Sequence, residues 1–186
     1  MTSLSWPTHP LTPAEWEALP ESDEFRLEVA EGMLVMAAKP HGRHQVATGR
    51  LFAAMDVALP RELMAVPDVE VLLESAPLTI RAPNLAVVPT SVYDLDPPRY
   101  SAADVLLAVE ILSDGTRRVD RVLTFSEYAD ASIPQYWIVD LGSPTVLTAY
   151  LLVDGAYELV GEFRDEAGLT VAGSSVTLDL AALTAR

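Results

Sequence analysis

Arg81-Ala82-Pro83-Asn84-Leu85-Ala86-Val87-Val88 and, 26 residues beyond Asn84, Glu110 in Leu107-Ala108-Val109-Glu110-Ile111-Leu112 decide how this chain reads. Each is a short apolar run with one polar side chain embedded in it. Runs of this kind suit strands buried on both faces of a central sheet. A carboxylate inside Val-Glu-Ile-Leu is costly to bury unless it is paired or binds a metal. Two such groups on neighbouring strands can share one cation. Asn84, however, is an amide where a hard cation prefers Asp.

Working outward, Thr12-Pro13-Ala14-Glu15 is a capping box with Pro at the first helical position, and it starts a short helix. Residues 1–11, with two Pro, read as an extended arm, and 12–186 as a single domain. Phe25-Arg26-Leu27-Glu28-Val29 alternates as a half-buried strand does, turns at Ala30-Glu31-Gly32 and returns through 33–37. Apolar positions at helical spacing predict a helix over 43–59, closed by Pro60. Strands are predicted at 63–66, 68–74 and 84–88, a long loop over 89–103, and a central strand at 104–112. Asp114-Gly115 marks a turn, 117–131 a helix and 136–140 a further apolar strand. Short strands at 145–153, 156–163, 169–171 and 176–178 form a C-terminal meander. The order α-ββ-α-βββ-β-α-β-βββ predicts an α/β (α+β) fold, a mixed central sheet flanked by helices.

Composition narrows the function. The 186 residues suffice for one sizeable core, half of them are hydrophobic, and mean hydropathy is +0.23, which excludes a disordered chain. There is no Cys, so disulfides, thiolate nucleophiles and Cys-based zinc sites are excluded. No apolar run reaches membrane-spanning length and no signal-peptide pattern is present, so the expectation is a cytoplasmic protein with no membrane partner. The net charge is -15 and Lys39 is the only Lys, which disfavours DNA, whose affinity comes largely from Lys and Arg neutralising phosphates. No Gly-x-Ser-x-Gly elbow and no phosphate loop occurs.

Four segments together resemble a known family. They are 25–32; Arg43-His44-Gln45; Glu110-Ile111-Leu112-Ser113 with Thr116 and Asp120; and Ile133-Pro134-Gln135-Tyr136-Trp137-Ile138-Val139-Asp140. They are similar to the opening hairpin, the "R-H-Q" helix start, the "E-V-L-S-P-S-T…D" run and the "V-P-E-Y-W-I-V-D" strand of the bacterial "putative restriction endonuclease" family of the Uma type. That family lies within the PD-(D/E)XK nucleases, and the resemblance spans about Thr12 to Leu180.

The resemblance implies a restriction-endonuclease-like fold and metal-assisted phosphodiester cleavage. In it an Asp from "R-x-P-D" and the Glu of "E-V-L-S" hold Mg²⁺ or Mn²⁺, and a helix Lys supplies positive charge. The Glu role falls on Glu110. The Asp role falls on Asn84 and the Lys role on Thr124, and both depart from the family pattern. The other Lys position of the superfamily falls on Leu112. An Asn carbonyl brings no negative charge, and losing the Lys removes a transition-state contact of roughly 2–4 kcal/mol. Metal binding and cleavage are therefore expected to be weak or lost.

Glu70 or Glu28 is a candidate for the missing charge, and His44 and Asp120 are candidate site contacts. Each has a structural alternative. Glu110 can be a buried carboxylate bonded to a neighbour, Asn84 a strand-end turn residue, Glu28 a hairpin surface charge, His44 a packing residue, and Asp120 a helix-start charge. Arg117, Arg118 and Arg121 read either as a phosphate-contacting patch or as a solvated face. The competing class is a non-catalytic homodimer that keeps the fold, with the C-terminal meander as its interface.

Overall fold

The computed structural model describes residues 6–20, 22–112 and 120–185, with backbone only at 120–122. The helices are α1 (Pro13–Glu17), α2 (Gly42–Ala58), α3 (Thr90–Tyr93) and α4 (Asp120–Asp130). The strands are β1 (Phe25–Ala30), β2 (Met33–Ala38), β3 (Leu63–Pro67), β4 (Val71–Ser75), β5 (Leu78–Arg81), β6 (Leu85–Pro89), β7 (Tyr100–Ser101), β8 (Leu107–Leu112), β9 (Gln135–Asp140), β10 (Val146–Val153), β11 (Ala156–Phe163), β12 (Glu166–Val171) and β13 (Ser174–Asp179).

A six-stranded sheet runs β11-β10-β9-β8-β6-β3, with β8 and β9 parallel and the other neighbours antiparallel. A five-stranded sheet runs β2-β1-β5-β4-β7. The predicted mixed sheet flanked by helices is what forms. The period-two alternation of β6 and β8 sorts their side chains between two cores. Leu85, Val87, Leu107, Val109 and Ile111 pack with Ala47, Leu51 and Met55 of α2. Ala86, Val88, Ala108 and Leu112 pack with Tyr128 and Ala129 of α4. Glu110 shares the register of Ala108 and Leu112, so it faces α4.

Local chemistry explains the ends. Thr12 and Glu15 make the reciprocal capping box expected of them. Glu31 and Gly32 both take positive φ, 49° and 80°, giving the primed turn that joins β1 to β2 in a two-residue hairpin.

The structure differs from the sequence pattern in three places. The single strand expected over 68–74 does not form. Asp68 takes φ 49°, the chain leaves the six-stranded sheet after β3, and β4 starts in the other sheet. β5 is absent from the sequence pattern, because Pro77 and Pro83 bracket only five residues, four of them in the strand. The C-terminal strands divide: β10 and β11 complete the main sheet, whereas β12 and β13 form a separate hairpin buried against the α2 face. The turn at Asp114-Gly115, Thr116, Arg117 and Arg118, and the side chains of Asp120 and Arg121, lie outside the described residues.

Candidate active site

Ile111 is the hinge of the site. β8 outlasts β6: their pairing ends at Leu85 opposite Val109. Pro83 has no N–H with which to extend the ladder. Two side chains replace the missing strand. The Ile111 N–H donates to Asn84 Oδ1 at 2.7 Å, and the Ile111 carbonyl accepts from His44 Nε2 at 3.0 Å. Asn84 is 2 % exposed, so this bond satisfies a buried donor that would otherwise be orphaned. His44 lies in the first turn of α2, and burial holds its pKa below the ordinary 6.5. With the Ile111 carbonyl as acceptor, Nε2 carries the proton of a neutral imidazole.

Glu110, the next residue back, turns toward α4 and accepts from the Tyr128 hydroxyl at 2.9 Å. Burial pushes its carboxyl from 4.5 up to about 7; Glu28 adds to the rise, and Arg26, Tyr128 and Arg81 oppose it. Burial also drives the Tyr128 phenol well above 10, so it stays a donor.

Beside this pair lies an ionic network. Arg81, at the end of β5 and 5 % exposed, reaches Glu127 of α4 through Nε at 2.6 Å and Nη2 at 2.9 Å. Its Nη1 reaches Glu28 Oε2 at 2.9 Å. The other Glu28 oxygen accepts from the Ala82 N–H at 3.0 Å. Burial works against the Arg81 charge, but Glu127 and Glu28 outweigh it and hold the guanidinium protonated. Arg26 adds a second cation, 3.8 Å from Glu28 and 3.7 Å from Asp68. Its Nη2 is buried with no hydrogen-bond partner.

The structure thus brings Glu110, Asn84, His44 and Glu28 to one region where β1, β5, β8, α2 and α4 meet. Thr124 is buried on α4, one turn before Glu127 and Tyr128. Asp120 begins that helix, and its side chain lies outside the described residues. Glu70 is engaged elsewhere: it accepts from Trp16 Nε1 at 3.2 Å and lies 3.3 Å from Arg99 Nε.

Sequence reasoning gave no role to Arg26, Arg81, Glu127 or Tyr128. Arg81 stood in the quoted Arg81-Ala82-Pro83-Asn84 stretch. Glu127 and Tyr128 follow Thr124 at the three- and four-residue spacings that share a helix face.

Whether these groups suit a dication can be tested on their bonds. Asn84 Oδ1 is committed to Ile111, both Glu28 oxygens are engaged, Glu110 accepts from Tyr128, and the Arg81 guanidinium already lies between Glu28 and Glu127. Among the described residues no group of three His, Asp or Glu side chains is placed to hold a metal ion. The set does not fit Mg²⁺.

The fold is that of a restriction-endonuclease-like protein. The chain belongs to the family whose model is described as Uma2, "Putative restriction endonuclease", which matches residues 13–181. It is also similar to a crystal structure described as "a putative nuclease belonging to DUF820" from Anabaena variabilis ATCC 29413. The TM-score is 0.76 and the identity 17 %, covering 94 % of this chain and 98 % of that one, a likeness of fold. No curated protein matches the chain. No helix among the described residues is long and apolar enough to cross a membrane.

Proposed function

We propose that this chain is a nuclease-family protein whose Mg²⁺- or Mn²⁺-dependent phosphodiester hydrolysis is weak or lost. The observation that carries the reading is the 2.7 Å bond from the Ile111 N–H to Asn84 Oδ1. The position that resembles the family's metal-binding Asp is here an amide built into the sheet. Arg81 supports the same reading, since its buried charge neutralises the carboxylates that a dication would need. The charge of -15 disfavours DNA as a partner. A second reading, a non-catalytic homodimer that keeps the fold, is favoured by the apolar edge of β2, which no other strand covers among the described residues.

The test measures Mg²⁺ and Mn²⁺ binding by calorimetry and plasmid cleavage for the native chain, for Glu110→Ala, and for Asn84→Asp with Thr124→Lys. Expected are little or no heat of binding and at most trace cleavage by the native chain. Efficient native cleavage that Glu110→Ala abolishes refutes the proposal.

A further inference from the structure

Among the described residues β2 is the outer strand of the five-stranded sheet, and β1 is its one strand neighbour. Its sequence, Met33-Leu34-Val35-Met36-Ala37-Ala38, has no charge, no Pro and no Gly. Its pairing with β1 runs unbroken through six residue pairs, with no bulge. These are the devices that natural edges use against pairing with another chain, and β2 has none of them.

The other edges differ. β7 has two residues, β3 ends at Pro67, and β11 carries Glu158 and Glu162 with an irregular register against β10. Met33 and Met36, on opposite faces of β2, are 43 % and 46 % exposed.

Geometry fixes which groups the edge offers. In a two-residue hairpin the residues flanking the turn, Ala30 and Met33, form a hydrogen-bonded pair, and the alternation then continues along both strands. The backbone N–H and C=O of Leu34, Met36 and Ala38 therefore point away from β1. Strands of like sequence pair antiparallel about a two-fold axis when such outward groups meet. The register centred on Met36 sets Met36 against Met36 and Leu34 against Ala38.

That register also sets Lys39 opposite Met33 of the other copy, beside the Glu31-Gly32 turn that precedes it, where long side chains can meet. Lys39 and Glu31 are both exposed. Each copy carries -15, so close approach needs an uncharged strip, and here the chain's single Lys is placed to meet an acid at each end of it.

We infer that β2 is a self-association edge: two copies pair β2 against β2 in antiparallel register about Met36, flanked by Lys39–Glu31 pairs, and join two five-stranded sheets into one. The interface is isologous, so it closes at the dimer. A strand edge buries less than a standard interface, and the dimer is accordingly weak and concentration-dependent.

Sedimentation velocity on the full chain, loaded from about 10 µM to about 500 µM, brackets a weak association. The native chain is expected to shift from monomer to dimer across that range. Met36→Lys sets two like charges against each other across the axis and is expected to abolish the shift. Met36→Pro removes an outward N–H, a change edge strands tolerate, and should do the same with an unchanged far-ultraviolet spectrum. Lys39→Glu should weaken the dimer at least threefold, and Glu31→Lys with Lys39→Glu should restore it. A native chain that stays monomeric overturns the inference. So does a dimer that persists in Met36→Lys, or one indifferent to Lys39→Glu.

Discussion

Arg81→Met tests the claim that a guanidinium holds this site together. The substitution keeps most of the side-chain volume and removes the charge from a position 5 % exposed. Three charge-assisted bonds disappear, at 2.6, 2.9 and 2.9 Å. Glu28 keeps the Ala82 N–H, but Glu127 loses both of its Arg81 contacts. Adding about 1.5–3 kcal/mol for each bond would overshoot, because the two carboxylates partly rehydrate once released. Breaking a buried pair by removing one partner typically costs 3–5 kcal/mol, and three bonds to two carboxylates place Arg81→Met in that range. That is a large part of the 5–15 kcal/mol expected of a whole domain. Urea unfolding followed by circular dichroism measures it. Arg81→Met with Glu28→Gln and Glu127→Gln removes Arg81 and both carboxylates it pairs with, leaves Arg26 to Asp68, and should recover most of the loss, since the cost comes from unpaired carboxylates. A loss below about 1 kcal/mol for Arg81→Met refutes the reasoning, because a value that small is typical of a solvent-screened surface pair. A triple variant no more stable than the single one refutes it as well.

Asn84→Ala orphans the Ile111 N–H and should lower stability by about 1–3 kcal/mol in the same unfolding assay, whereas Asn84→Asp, which keeps an acceptor oxygen, should lose less. Glu110 gives a pH signature. Its folded pKa, about 7, lies above the ordinary 4.5, so between those values the folded state holds a proton that the unfolded chain has released, and stability falls as pH rises through that window. The full loss has a ceiling of about 3 kcal/mol above pH 7, and the difference curve between Glu110→Gln and the native chain should rise over the same window. His44 acts in the opposite sense: its folded pKa lies below 6.5, so its contribution is present above 6.5 and lost on acidification. His44→Gln, unfolded at several pH values, should show less acid sensitivity than the native chain. Tyr128→Phe removes the donor to Glu110 and should raise the carboxyl pKa further, read by carbon-13 shifts of the carboxyl.

Strong local signals made much of the fold legible. The Thr12–Glu15 box, the Glu31-Gly32 turn and the apolar runs of β6, β8 and β9 each carry their structure in a few adjacent residues. β5 was hidden because a four-residue strand between prolines gives too short a period to read. The break at Asp68 was hidden because a change of sheet leaves no periodic trace. The site was legible one residue at a time: Glu110 and Asn84 announced themselves as polar groups in apolar runs. Their bonds were not legible. That Asn84 serves Ile111, and that Arg81 joins Glu28 to Glu127, depends on residues 27, 53 and 46 positions apart meeting in space.

Those bonds change what restoring the family pattern would require. Asn84→Asp with Thr124→Lys supplies the residue types but not their freedom. A carboxylate at 84 would still be drawn to the Ile111 N–H, because β6 offers that donor nothing else and a buried N–H without an acceptor is costly. Its second oxygen would lie near Glu110, whose carboxyl already resists ionisation, and two like charges in one site push a pKa further upward. The Arg81 cation would meanwhile keep Glu28 and Glu127 neutralised. The departures at 84 and 124 and the Arg81 network therefore act as a unit, and their effects should be non-additive. The informative variant adds Arg81→Met to the two restorations: if it binds Mn²⁺ where the double variant does not, the guanidinium is the group that excludes the metal. If the double variant binds as tightly, the network is a bystander and Asn84 is the obstacle.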